Sequence, residues 1–300
     1  MLRKKNITLN GKKATGNEML NCDDTVESFF SDETFDKFTA SASNNVSSRT
    51  DMSAPRISVT TKDIVYEDEH ILLVNKKPGV LTQKANPNDY SLNEWLIDYL
   101  INTNAITREQ LKTFKPSVCN RLDRNTGGIV ICGKSLLGIQ VMTELIRTKD
   151  IEKHYITLCH GDFKHEGRTE AIISKDDKIN KSSVSSDKNT KGSEIITEFS
   201  IIQKYNDACL LDVNLLTGKS HQIRAQLSAF GNPIYGDKKY GSGKAQSDKV
   251  ENGLKYQLLY AYKLIFPASD KLPKELSHLS DKTIELPVPE YFQTVINRLN

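Results

Sequence analysis

The order of strand-like and helix-like segments constrains this chain more than any other feature. Short apolar runs of strand character fall at 64–67, 70–75, 129–132, 153–158, 195–202, 209–214 and 258–266. Helical periodicity is scarcer. Ser91 opens a helix through Trp95, Leu96, Tyr99 and Leu100, with Glu94 three residues on completing a capping box. Ser135 caps another, whose Leu137, Val141, Met142 and Leu145 share one stripe. Further helices are expected over 107–114, from Ser220, and over 289–299. Strands and helices do not alternate regularly, so the architecture reads as α+β: a largely antiparallel, mixed sheet flanked by helices. No segment repeats.

Around this core the chain divides by composition. Residues 1–38 begin basic, with Arg3, Lys4, Lys5, Lys12 and Lys13, and turn acidic from Asp23. Within them, Ile7-Thr8-Leu9-Asn10-Gly11-Lys12-Lys13 alternates like a strand into an Asn-Gly turn, a hairpin signal. Residues 39–55 are mostly Ser, Ala, Asn and Thr without periodicity, a flexible linker. The main domain is expected over 56–300. Its stretch from Lys175 to Lys191 is polar and Lys- and Ser-rich, an exposed hairpin or loop. Net charge is only +3, so a polyanion must be met by a local patch.

Some classes fall away. The basic start lacks the apolar stretch of a signal peptide, and nothing approaches the roughly 20 apolar residues of a membrane span. Five scattered cysteines, without a Cys-x-x-Cys pair, fit reduced thiols. A cytoplasmic protein is expected. His154, Cys159, His160 and His165 lack the paired spacing of a zinc site. Gly241-Ser242-Gly243-Lys244-Ala245 hints at a phosphate loop, but Lys238 stands where its first glycine belongs and Ala245 lacks the hydroxyl. Neither metal nor cofactor is expected.

Two segments carry the chemistry. Asn120-Arg121-Leu122-Asp123-Arg124-Asn125-Thr126-Gly127-Gly128 sets a carboxylate between two arginines, ahead of turn-forming residues. Thr217-Gly218-Lys219-Ser220-His221-Gln222-Ile223-Arg224 opens like a capped helix, with Ser220 as cap and an arginine one turn in. Chemistry on a glycosidic bond needs an oriented carboxylate, and a paired arginine supplies the orientation. Ile223, Ala225 and Leu227 turn that helix inward, where Arg224 needs a carboxylate partner.

Together these segments resemble the RluA-type pseudouridine synthases, whose pattern reads His-Arg-Leu-Asp-x-x-Thr-Ser-Gly, then Gly-Arg-Thr-His-Gln-Ile-Arg. Gly231-Asn232-Pro233-Ile234-Tyr235-Gly236-Asp237 resembles the family's next turn, and the likeness covers roughly 59–266. It implies a pseudouridine synthase fold and an isomerase acting on RNA uridines without metal or cofactor. Asp123 would attack C1′ or take a proton from C2′, and the residues leave both routes open. The resemblance further implies that Tyr155 stacks on the target base, helping to remove its C5 proton, and that Leu259 packs against the base. Arg121, His221 and Gln222 would bind substrate or backbone.

Residues 7–26 resemble the second half of a small RNA-binding module shared with a ribosomal small-subunit protein, with no counterpart of its first helices. Large-subunit ribosomal RNA is therefore the expected substrate and a monomer the expected state. Transfer RNA as substrate, and a non-catalytic RNA-binding assembly factor, are the alternatives. The pattern is departed from at Asn120 (for His), Gly127 (for Ser), Lys219 (for Arg) and Tyr260 (for His).

Overall fold

Continuous apolar runs such as Ile71-Leu72-Leu73-Val74 arise when both faces of a strand are covered, and that is their situation here. The computed structural model describes residues 7–15, 18–19, 21–29, 59–176, 179–241 and 253–299. It divides into two compact units, Met1–Ala54 and Pro55–Asn300. The expected linker, and Arg3, Lys4 and Lys5 with it, lie outside the described residues.

In the smaller unit β1 (Ile7–Leu9) pairs antiparallel with β2 (Lys12–Lys13) and with β3 (Val26–Ser28). Asn10 and Gly11 have φ of 49° and 73°, the two positive values that a two-residue hairpin turn requires. The Asn10 side chain ties this turn to the next, donating to Asp24 at 2.7 Å and accepting from Thr25 N at 2.8 Å. Lys12 and Lys13 are exposed.

The larger unit runs β4 (Ile64–Glu67), β5 (Ile71–Lys76), α1 (Leu92–Asn102), β6 (Ser117–Val118), β7 (Gly127–Gly133), α2 (Leu136–Thr148), β8 (Glu152–His160), β9 (Gly167–Asp176), β10 (Lys181–Ser185), β11 (Ser193–Lys204), β12 (Ala208–Leu215), α3 (Gln222–Ala229), β13 (Leu259–Ile265), β14 (Thr283–Glu285) and α4 (Glu290–Ile296). The strands form one sheet in the order β10-β9-β11-β12-β8-β13-β7-β5-β4, with β14 on β13 and β6 on β7. Every pairing is antiparallel except β13 with β7. The expected mixed α+β architecture is therefore present.

Alternation along β5 sends Leu72 and Val74 to one core and Ile71 and Leu73 to another. The first core takes Leu92, Leu96 and Leu100 of α1 and Ile223 and Leu227 of α3. The second takes Met142 and Leu145 of α2, and a third packs Phe292, Val295 and Ile296 of α4 beneath Ile156 and Leu158. Two of the three expected caps are made: Ser91 and Glu94 form the capping box, and the Ser135 side chain accepts from Gly138 N. The polar 175–191 stretch takes in the end of β9 and the whole of β10, which pair antiparallel. One expected helix is corrected. Over 107–114 there is a single 3-10 turn, Gln110–Lys112, because only Leu111 of that stretch is buried and Pro116 blocks propagation.

Close approach of β7 to β13 depends on one glycine. Gly128 has φ +116°, and a Cβ there would lie 2.2 Å from the Ala261 carbonyl oxygen.

Candidate active site

The loop from β6 to β7 presents Asp123 because its neighbours are fastened on all sides. Asn120 Oδ1 accepts from Ile131 N at 2.8 Å. The buried Thr82 hydroxyl donates to the Leu122 carbonyl at 2.8 Å and accepts from Leu122 N at 3.2 Å. Thr126 N donates to the Asp123 carbonyl at 3.0 Å, closing a turn, and Thr126 Oγ1 accepts from Gln257 at 2.9 Å. With the backbone held, the Asp123 side chain, 25% exposed, faces a cleft of about 660 Å³.

One fastening was not legible in advance. Lys76 is fully buried, and its Nζ donates to the carbonyls of Val80 (2.9 Å), Lys77 (3.2 Å) and Arg124 (3.2 Å). The Arg124 carbonyl also accepts from Gly79 N at 2.8 Å, so this lysine pins the turn beside Asp123. Burial pushes Lys76 down to about 7, with Asp123 pulling the other way. A signal was present: Leu72, Val74 and Lys76 share strand parity, and the first two face the core on the cleft side.

Across the cleft, α3 delivers Arg224, though not through the expected Ser220 cap. His221 holds the cap position with φ 58°, in the left-handed region. No side chain among the described residues caps the helix; its first residue, Gln222, instead fastens the preceding turn, its Oε1 accepting from Lys219 N (3.1 Å) and Thr217 Oγ1 (3.0 Å). Its Nε2 donates to the Ile196 carbonyl (3.2 Å) and Thr197 Oγ1 (3.0 Å), stapling the helix start to β11.

Arg224 Nη1 donates to Asp123 Oδ2 at 2.7 Å. Its other edge grips Asp237 in fork geometry, Nε to Oδ2 at 2.7 Å and Nη2 to Oδ1 at 2.9 Å. Asp237, read from sequence only as part of a turn, has no exposed side-chain surface. Burial alone would raise its carboxyl, but Arg224 and the N–H groups of Tyr240 and Lys239 hold it below the ordinary range. Burial likewise works against the guanidinium, yet Asp237 and then Asp123 keep it above its usual value. The arginine is a permanent cation, seated by one carboxylate and aiming at another.

Tyr155 and Leu259, both buried, line the same cleft, as do Arg121, His221 and Gln222. Burial, then the Asp123 charge, push the Tyr155 hydroxyl above a normal phenol. Lys84, Arg121, Arg124, Lys219, Lys238 and Lys255 also line the cleft, and Asp123 is the one carboxylate in its described lining. The chain's small net charge thus conceals a concentrated basic patch. Two of the positions noted as departures from the pattern lie against each other. Gly127 and Tyr260 are register partners, and a Cβ on Gly127 would meet the Tyr260 ring and Pro78 at 3.0 Å each. Tyr260 donates instead to Asn75 Oδ1 at 2.9 Å.

The four residues weighed as zinc ligands are spread apart by other contacts. His154 bonds Asp212 at 2.9 Å and Glu152 at 3.1 Å, and the Cys159 thiol turns to the Cys209 carbonyl. His160 stacks on Tyr235 and His165 on Phe230. Among the described residues no helix is long and apolar enough to cross a membrane.

A family model described as RNA pseudouridylate synthase matches residues 70–229. An uncharacterised RNA pseudouridine synthase of Mycoplasma genitalium is 32% identical over 213 residues, 68% of this chain and 63% of that protein. The ribosomal large subunit pseudouridine synthase D of Borreliella burgdorferi is 28% identical, over 67% of this chain and 60% of that protein. This chain therefore spans under two thirds of the length of these two relatives. With the ribosomal large subunit pseudouridine synthase C of Rickettsia bellii it shares 28% identity over 98% of this chain and 89% of that protein. Among solved structures, human RNA pseudouridylate synthase domain containing 4 superposes with a TM-score of 0.61 at 20% identity, over 80% of this chain and 93% of that one. The matched residues span the Asp123 loop and Arg224 alike, and the chain belongs to the RNA pseudouridylate synthase family.

Proposed function

We propose that this chain is an RNA uridine isomerase: it breaks the N1–C1′ bond of a target uridine and joins C5 to C1′, with the C5 proton lost and N1 protonated. The observation that carries this reading is Asp123 held by Arg224 at 2.7 Å in a basic cleft floored by Tyr155 and Leu259. Asp123 either attacks C1′ or takes the C2′ proton to give a glycal. Arg224 orients it without approaching the base, since Asp237 occupies the guanidinium's other edge. Tyr155 gives the flipped base an aromatic face in place of lost stacking, worth about 1–3 kcal/mol. Its hydroxyl, held protonated, serves first as a donor.

The name "ribosomal large subunit" borne by several relatives supports large-subunit ribosomal RNA as the substrate. The basic lining suits a phosphate backbone and is indifferent to sequence. Tritium release from RNA carrying 5-tritiated uridine tests the chemistry: wild type releases it and Asp123→Asn does not, while RNA affinity stays within a few-fold. Equal release by both would sink the assignment of Asp123. Mapping pseudouridine in total RNA with and without the gene tests the substrate. Loss at large-subunit sites is expected, and loss confined to transfer RNA would overturn that choice.

A further inference from the structure

The groove between Asp123 and His221 has the geometry of a hydroxyl site. His221 Nε2 stands 3.9 Å from Asp123 Oδ2, too far for a hydrogen bond. One oxygen at an ordinary 2.8 Å from both atoms would bridge them at about 90°, within reach of a tetrahedral hydroxyl. That oxygen must donate to the carboxylate. What it receives depends on which imidazole nitrogen carries the proton, and the surroundings decide this.

His221 Nδ1 lies 2.9 Å from the hydroxyl of Tyr240, a residue only 4% exposed. That hydroxyl already accepts from the backbone N–H of Ser182 at 2.7 Å. A phenol has one proton, and when buried it needs an acceptor. Among the described residues, Nδ1 is the acceptor within hydrogen-bond distance. Tyr240 therefore donates to Nδ1, leaving the proton of neutral His221 on Nε2, facing Asp123. Burial lowers the His221 pKa; Asp123 and Asp237 oppose this, while Arg224 and Lys239 reinforce it, so the ring is neutral near pH 7.

Building on the isomerase reading above, we propose that Asp123 and His221 bracket the 2′-hydroxyl of the target ribose, with Tyr240 as the positioning residue that makes His221 the donor. A carboxylate that approaches C1′ to about 3–3.5 Å from the face opposite the base lies on the side of the ring that carries O2′, and one that takes the C2′ proton works on the carbon that bears it. The 2′-hydroxyl both gives and accepts, as this gap demands, and it distinguishes RNA from DNA. A phosphate oxygen has no proton to offer Asp123 and would repel it. The hairpin that carries Ser182 thereby takes part in sugar recognition from behind the site.

The test uses a stem-loop carrying the uridine found by mapping, made with uridine or 2′-deoxyuridine at that position. Wild type should prefer the ribo form by at least about 30-fold in kcat/KM, the worth of one charge-assisted and one neutral hydrogen bond. His221→Ala and Tyr240→Phe should each shrink that preference by about 3–10-fold, the share of the neutral bond. A preference unchanged in His221→Ala, or none in wild type, overturns the proposal. Nitrogen-15 spectra of the wild-type imidazoles report the tautomer without any substitution: a protonated Nε2 is expected, and a protonated Nδ1 refutes the role of Tyr240. Failure to turn over any RNA strikes instead at the isomerase reading, and the tautomer is measured independently of it.

Discussion

Lys76→Met removes an ammonium from full burial, and its effect should depend on pH in a calculable way. Folding lowers this lysine from 10.5 to about 7. Below about pH 7 it is charged in both states, and the whole penalty of burying the charge falls on the fold. Between 7 and 10.5 the unfolded chain holds a proton that the folded chain has released, so stability rises with pH. Above 10.5 the penalty has gone. Integrated from pH 7 to pH 9, this one group makes wild type about 2 kcal/mol more stable at the higher pH. The methionine variant lacks that increment and leaves the Val80 carbonyl without its donor, a loss of about 1–3 kcal/mol in a buried setting. Urea unfolding of both proteins at pH 7 and pH 9 measures the difference of differences, expected near 2 kcal/mol with the variant relatively worse at pH 9. Parallel pH dependences would refute the reasoning, since three carbonyls would then be holding the ammonium charged despite its burial.

Three further outcomes are expected. Asp237→Asn leaves a buried arginine with one carboxylate, so unfolding free energy should fall by about 3–5 kcal/mol and turnover with it; a loss under 1 kcal/mol would mean that Asp123 alone seats Arg224. Tyr155→Phe keeps the stacking face and removes the hydroxyl, so RNA affinity should hold while turnover drops by about 10²–10⁴. Turnover at the wild-type level would reduce Tyr155 to a stacking surface. Deleting residues 1–38 removes Arg3, Lys4, Lys5, Lys12 and Lys13 and should flatten the log–log salt dependence of RNA binding by about 2–4. A slope that does not move would show that this segment meets no phosphates.

Local rules made much of this structure legible. The Ser91–Glu94 box and the Ser135 cap are complete within four residues, and the Asn10-Gly11 turn within two. The meeting of Asp123 with Arg224 was also readable, because each is a charge that an apolar setting would not tolerate alone. What escaped was set by partners distant in sequence. Asp237 looked like a turn residue because nothing near it announces the guanidinium it holds. Lys76 looked like the end of a strand, since parity says which way a side chain points but not that the Arg124 carbonyl, 48 residues on, meets it together with those of Lys77 and Val80. Ser220 was a sound cap by composition, but the helix begins one residue later, at a turn that Gln222 fastens to β11.

The position of β13 has a consequence for how the molecule assembles. Among the described residues β7 and β8 do not pair; β13 lies between them and bonds to both. The sheet therefore exists as two incomplete ribbons, one bearing Asp123 at its margin and the other leading to Arg224, until Leu259–Ile265 slides into the seam. At roughly 5–20 residues per second, a ribosome builds both halves of the ion pair about 2–8 seconds before it builds the strand that closes the cleft. Through that interval two inner strand edges stand open, a hazard for mispairing. A nascent chain carrying both halves of the ion pair should thus remain unable to act on RNA until its penultimate strand has emerged.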